Sequence, residues 1–183
     1  MEAYYGFVKK VVGAFNEADF DFAFTGALAI SFYGVPRTTS DVDVIVEVAS
    51  EKDAKGKLTD LLRKAGLVVD ERKIEGAFIS GFKIASFKDR ESPYNLDVIL
   101  SSEKIGKQKG KVAGLETFFQ SPEGLIAAKL RMIKATVPPE RSAKDKKDIK
   151  ALLQFTKVDL AKVKMQAKKD KTEVIFDALG LKA

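Results

Sequence analysis

The chain has 183 residues, 45% hydrophobic and 32% charged, with a formal net charge of +6. That length suits one domain with a real core and is short for two. Cysteine and histidine are both absent, which excludes disulfides, thiol catalysis, the usual zinc ligands and any triad built on histidine.

Residues 3–18 read as an amphipathic helix, with Phe7, Val8, Val11, Val12 and Phe15 at helical spacing. Phe22-Ala23-Phe24 is a short buried strand. Gly26 follows, then an apolar helical turn or two from Ala27 to Tyr33, ended by Gly34 and Pro36. Residues 42–48 form a second strand. Ser50 is the expected cap of the next helix, whose core stripe is Ala54, Leu58, Leu61, Leu62 and Ala65 and whose stop is Gly66. Leu67 to Val69 starts a third strand. Residues 73–81 are ambiguous between helix and strand.

Phe82 to Phe87 and Tyr94 to Leu100 read as two strands joined as a hairpin through the polar stretch 88–93. Residues 101–110, rich in Lys and Gly, read as a loop or weak helix, and 112–119 as a last strand. From Ser121, an N-cap followed by Pro122, the period is helical over 122–134, 141–155, 157–168 and 172–180. The fold expected is α+β: a mixed β-sheet flanked by helices over residues 1–120, with a C-terminal helical subdomain over 121–183 packed on it as one unit. No apolar run approaches a membrane span. Met1-Glu2 lacks the basic start of a signal peptide and Lys9-Lys10 interrupts the apolar residues, so a cytoplasmic protein is expected.

Charge is divided unevenly. Residues 1–100 hold 13 basic and 16 acidic side chains, and residues 101–183 hold 19 and 10. A basic half of this kind suits a polyanionic partner such as a nucleotide or RNA, and equally suits lysine-rich helix faces in water. Lys162, Lys164, Lys168, Lys169 and Lys171 fit the second description better.

Asp41 and Asp43 share one face of their strand, about 7 Å apart, while Val42, Val44, Val46 and Val48 line the other. A lone Asp-x-Asp at a strand start is commonly just a wet strand end. Asp97 changes the weighing, because Leu96, Val98 and Ile99 mark its strand as buried, and a buried carboxylate needs a cation or a metal. With only oxygen ligands to offer, three carboxylates on neighbouring strands point to two magnesium ions, with manganese as the substitute. Gly26-Ala27, where a strand passes into a helix, suits either a phosphate or close packing.

Lys129 falls inside the apolar arc set by Leu125, Ile126, Leu130, Met132 and Ile133, whereas Arg131 and Lys134 fall outside it. A lysine there needs an anion, unless it snorkels out. In the following helix Ile149, Leu152, Leu153 and Phe155 set the buried side, and Arg141, Asp145 and Asp148 lie on that side. A polar network with Lys129 is one expectation; acidic residues complementing the helix dipole is the other. Arg37 is either a phosphate or carboxylate clamp or a tie for its loop.

The motif GAxAxxxxGxPRTTxDxDxxV over 26–46, the single strand aspartate Asp97, and a rear pair of helices carrying Leu125-Ile126, Lys129-Leu130, Arg141, Lys144-Asp145 and Asp148-Ile149 together resemble the minimal nucleotidyltransferases of the DNA polymerase β-like superfamily. The branch most similar is that of the AbiEii-like abortive-infection toxins, and the resemblance covers roughly residues 20–155. It implies a nucleotidyltransferase fold in which Asp41, Asp43 and Asp97 are catalytic and hold two magnesium ions. Asp97 would also help to deprotonate a hydroxyl. It places Gly26 and Ala27 at the phosphates, and Lys129, Lys144 and Asp145 at the nucleotide, with Arg37 and Arg141 as further nucleotide contacts. The family has Gly-Gly or Gly-Ser where this chain has Gly26-Ala27, so one hydroxyl contact to phosphate is missing.

The function expected is transfer of a nucleoside monophosphate from an NTP to a hydroxyl of RNA, tRNA or a small molecule, with an antitoxin protein as a partner if the setting is that of a toxin. Two rivals stand beside it. One is a non-catalytic nucleotide- or RNA-binding protein with the same fold, favoured by Ala27. The other is a scaffold whose lysine-rich tail binds an acidic protein.

Overall fold

The computed structural model describes residues 2–48, 51–81 and 83–181, with the side chains of Glu51 and Lys52 left aside. Helix α1 (Glu2–Asn16) leads into strand β1 (Phe22–Thr25), the short helix α2 (Gly26–Phe32) and strand β2 (Asp41–Glu47). Helix α3 (Glu51–Lys64), strand β3 (Leu67–Val68), helix α4 (Glu71–Ile79) and strands β4 (Ile84–Asp89) and β5 (Asn95–Ser101) follow. Strands β6 (Lys107–Val112) and β7 (Leu115–Gln120) complete the sheet. Helices α5 (Pro122–Ala135), α6 (Ala143–Phe155), α7 (Leu160–Lys169) and α8 (Glu173–Ala178) close the chain, with a 3-10 turn over Pro139–Ser142 before α6. The cap expected of Ser50 and the strand start expected at Phe82 lie outside the described residues. Among those residues no helix is long and apolar enough to cross a membrane.

One mixed sheet runs in the order β3-β4-β5-β2-β1-β7-β6. β2 is parallel to β5 and β1 is parallel to β7, and the remaining neighbours are antiparallel. Alternation decides the faces. Val42, Val44 and Val46 of β2 and Leu96, Val98 and Leu100 of β5 are buried, while the residues between them are only half-buried. The α1 stripe covers the apolar face, with Phe15 meeting Phe22 and Phe24 at ring centroids 5.3 and 6.0 Å apart. Leu125, Ile126, Leu130, Ile149, Leu152, Val163 and Phe176 of the C-terminal helices belong to the same core cluster. Ser121 caps α5 by accepting from the Gly124 N–H at 3.2 Å, with Pro122 in the first turn.

Three expectations need correction, and one ambiguous stretch is resolved. Residues 107–112 form a strand rather than a loop or weak helix. This strand, KQKGKV, has almost no apolar face of its own and is held by pairing with β7 through a tight turn at Ala113 and Gly114, both at positive φ. Residues 71–79 form a helix that buries only Ile74 and Ala77, too few to show a period. Met132 and Phe155, both in last turns where no partner helix covers them, are more than half exposed. The Asp97 strand is not buried on both faces: Asp97 stands on the half-buried one.

Candidate active site

The parallel pairing of β2 with β5 puts Asp43 directly opposite Asp97 and Asp41 directly opposite Asn95. Opposed residues of neighbouring strands share a face and lie about 4.8 Å apart along the hydrogen-bonding direction. Three aspartates therefore stand on one patch of the half-buried face. Asn95 donates to Asp41 Oδ1 at 3.0 Å, Ser40 donates to Asp41 Oδ2 at 3.2 Å, and Ser86 of the neighbouring β4 donates to Asp97. Among the described residues no three acidic groups are gathered into a ready-made metal cage. The donor set itself, carboxylates and neutral oxygens with no nitrogen or sulfur, fits a hard divalent cation.

Asp43 is the strained member. Burial, then the charges of Asp97 and Asp41, push its carboxyl up to about 6, against the opposing pull of Lys129 and the Ala27 N–H. Gly26 makes its seat. At φ +58 a Cβ at position 26 would lie 2.0 Å from Asp43 Oδ2, and the Ala27 N–H donates to that carboxylate. The turn between β1 and α2 is thus shaped to the carboxylate.

A second polar cluster lies beside the first. Lys129 of α5 pairs with Asp145 at 2.9 Å and with Asp148 at 2.6 Å, both on α6. Arg37, from the loop before β2, also pairs with Asp148, whose side chain is only 3% exposed. Two cations and two carboxylates balance, and the field of Lys129 reaches Asp43. Of the two expectations for Arg37, the structure gives the carboxylate clamp that also ties its loop. Asp145 and Asp148 form the expected network.

Arg141 and Lys144 do not join it; both are exposed. Arg141 sits in the 3-10 turn, so the α-helical phase that turned it inward does not apply at that position. Tyr4 of α1, Asn95 and Ser86 were not anticipated. Asn95 carried a signal, being two residues before Asp97 and so on its face. Tyr4 carried none beyond an aromatic in an amphipathic turn. Its hydroxyl is buried without a hydrogen-bond partner. Burial, then the charges of Asp43 and Asp41, push that hydroxyl up to about 12.

No family model matches the sequence, and no curated protein matches it. Solved structures do. ANT(2'')-Ia in complex with adenylyl-2''-tobramycin is 14% identical, with 94% of this chain and 99% of that one covered, at a TM-score of 0.66. A nucleotidyltransferase-like antigenic protein from Paracoccidioides brasiliensis is 18% identical, with 96% and 92% covered, at 0.60. The lincosamide antibiotic adenylyltransferase LnuA, bound to lincomycin, is 12% identical, with 82% and 97% covered, at 0.53. The chain has a nucleotidyltransferase fold. At these identities the likeness fixes the architecture of the sheet and helices and leaves the chemistry to the residues of this chain.

Proposed function

We propose that the chain is a magnesium-dependent nucleotidyltransferase. The observation that carries this reading is the register that sets Asp43 opposite Asp97 with Asp41 two residues along the same face. In the reaction an acceptor hydroxyl oxygen bonds to the α-phosphorus of an NTP, the bond to the bridging oxygen breaks, and pyrophosphate leaves. Asp97, at the edge of the patch beside Ser86, takes the hydroxyl proton. Asp41, Asp43 and Asp97 would hold the ions, which when bound neutralise charge on the transferring and leaving oxygens. Arg37 holds Asp148, and Lys129 holds both Asp148 and Asp145, as a charge-balanced wall beside the patch from which Lys129 also acts on Asp43.

The similar structures with tobramycin and lincomycin support a small-molecule hydroxyl as acceptor. The basic half, +9 over residues 101–183, supports RNA. The toxin setting, with its antitoxin partner, rests on the motif resemblance alone. A non-catalytic nucleotide binder remains the second reading, favoured by the lack of a ready-made metal cage among the described residues. Incubation with each α-labelled NTP, magnesium and either total tRNA, tobramycin or lincomycin separates them. Label transferred by the wild type and not by Asp41→Ala supports the enzyme. Magnesium-dependent NTP binding without transfer to any acceptor supports the binder.

A further inference from the structure

Asp97 already holds a hydroxyl. Ser86 of β4 stands directly opposite it across the antiparallel pairing of β4 with β5, and the Ser86 hydroxyl donates to Asp97 Oδ1. Opposed residues of an antiparallel pair bring their Cβ atoms to about 5 Å, so this bond asks nothing unusual of either side chain. Among the described residues Ser86 is the one side chain that donates a hydrogen bond to Asp97. A general base must lie within hydrogen-bond reach of the proton that it takes. The Ser86 hydroxyl therefore occupies the place that an acceptor hydroxyl has to reach.

Ser86 is also accessible. It is exposed, and β3 pairs only with Lys88 and Asp89, so no strand flanks β4 at Ser86 on its outer side among the described residues. Two cations attend this edge. Lys73 of α4 donates to the Ser86 carbonyl at 3.1 Å, and Lys88 is exposed two residues along the same face. A phosphodiester formed on Ser86 carries a negative charge, the sign that these lysines favour. Ser40 is a second hydroxyl on a carboxylate of the patch, but it bonds Asp41 and not Asp97.

We propose that Ser86 is an internal acceptor: the chain transfers a nucleoside monophosphate to its own Ser86. The inference rests on the nucleotidyltransferase reading and adds a modification site to it. Ser86 Oγ bonds to the α-phosphorus of the NTP. Its proton passes along the existing hydrogen bond to Asp97. The bond from the α-phosphorus to the bridging oxygen breaks, and pyrophosphate leaves. The product is a serine phosphodiester that no longer donates to Asp97.

The test uses the whole chain with no added acceptor. Intact mass is measured before and after incubation with each α-labelled NTP and magnesium, and fragmentation then places the label. The wild type should carry one nucleoside monophosphate per chain, on Ser86. Its rate of appearance per chain should not change with protein concentration, because acceptor and base belong to one molecule. Ser86→Thr keeps a hydroxyl on a strand position that accepts a β-branched residue, and should still be labelled. Ser86→Ala and Asp41→Ala should both lose the label completely.

Three results overturn the proposal: a wild type with Ser86 bare, a label confined to Ser40 or any other residue, or a rate that rises with protein concentration. The same protein separates this failure from that of the reading beneath it. Label reaching tRNA, tobramycin or lincomycin while Ser86 stays bare leaves the nucleotidyltransferase standing. A wild type that binds no NTP in the presence of magnesium defeats both.

Discussion

At the scale of residues, Asp43 carries the largest conflict. Burial and the neighbouring carboxylates raise its folded pKa to about 6, from an ordinary aspartate value of 3.8. The stability tied to its proton is therefore fully present below about pH 4 and lost as pH rises through 6. The loss is on the order of 3 kcal/mol. Asp43→Asn should abolish transfer yet flatten this dependence, making the metal-free protein more stable than wild type at pH 8. Thermal unfolding at pH 5 and pH 8 checks it; the same drop in both proteins would remove the conflict from Asp43. Gly26→Ala drives a Cβ into that carboxylate at a positive φ and should cost activity and about 1–3 kcal/mol of stability, read by urea unfolding and by turnover. Much of this patch was legible in the residues. Alternation alone put Asp41 and Asp43 on one face, and the same rule applied to Asp97 finds Asn95. Tyr4 was not legible, because nothing in an amphipathic turn distinguishes a ring that packs from a hydroxyl left without a partner.

At the scale of elements, the decisive fact is the register of β2 against β5, and the sequence does not contain it in readable form. The two strands are separated by α3, β3, α4 and β4, so their pairing is a long-range choice that no local period announces. The expected convergence of Asp97 rested on its being buried; in fact it lies on the half-buried face and converges because of the parallel pairing. Strand β6 escaped notice for a related reason: its ladder with β7 supplies what its own side chains lack. Helices were easier, since Lys129 at an apolar phase foretold a carboxylate facing it. Lys129→Met should leave Asp148 buried with only Arg37 and cost about 3–5 kcal/mol, measured in denaturant, with Asp148→Asn in the same chain recovering part of it. Lys10 ties α1 to the end of β4 in the same manner. Burial alone would raise the Asp89 carboxyl, but hydrogen bonds from Lys10 and Ser92 outweigh it and hold it below its usual range. Stability from that pair is present at neutral pH and lost as pH falls through the lowered value. Lys10→Met should destabilise the protein at pH 7 by more than at pH 3.

At the scale of the whole molecule, charge and architecture divide the labour. The acidic first hundred residues supply the carboxylates, and the later helices supply cations. On α6, Asp145 and Asp148 face inward while Lys147 and Lys150 are exposed. If RNA is the acceptor, Lys147→Gln with Lys150→Gln should reduce the salt slope of RNA binding by about 2 and leave NTP binding unchanged. An unchanged slope would turn attention to the small-molecule acceptor. The seat that Gly26 makes for Asp43 also bears on how such a chain can change over generations. While the aspartate stays, no side chain is tolerated at position 26; once it is replaced by something small, the glycine is free to drift. The two positions are therefore inherited as one character. A descendant of this chain with a bulky residue at 26 and Asp43 intact should be rarer than one that has lost both.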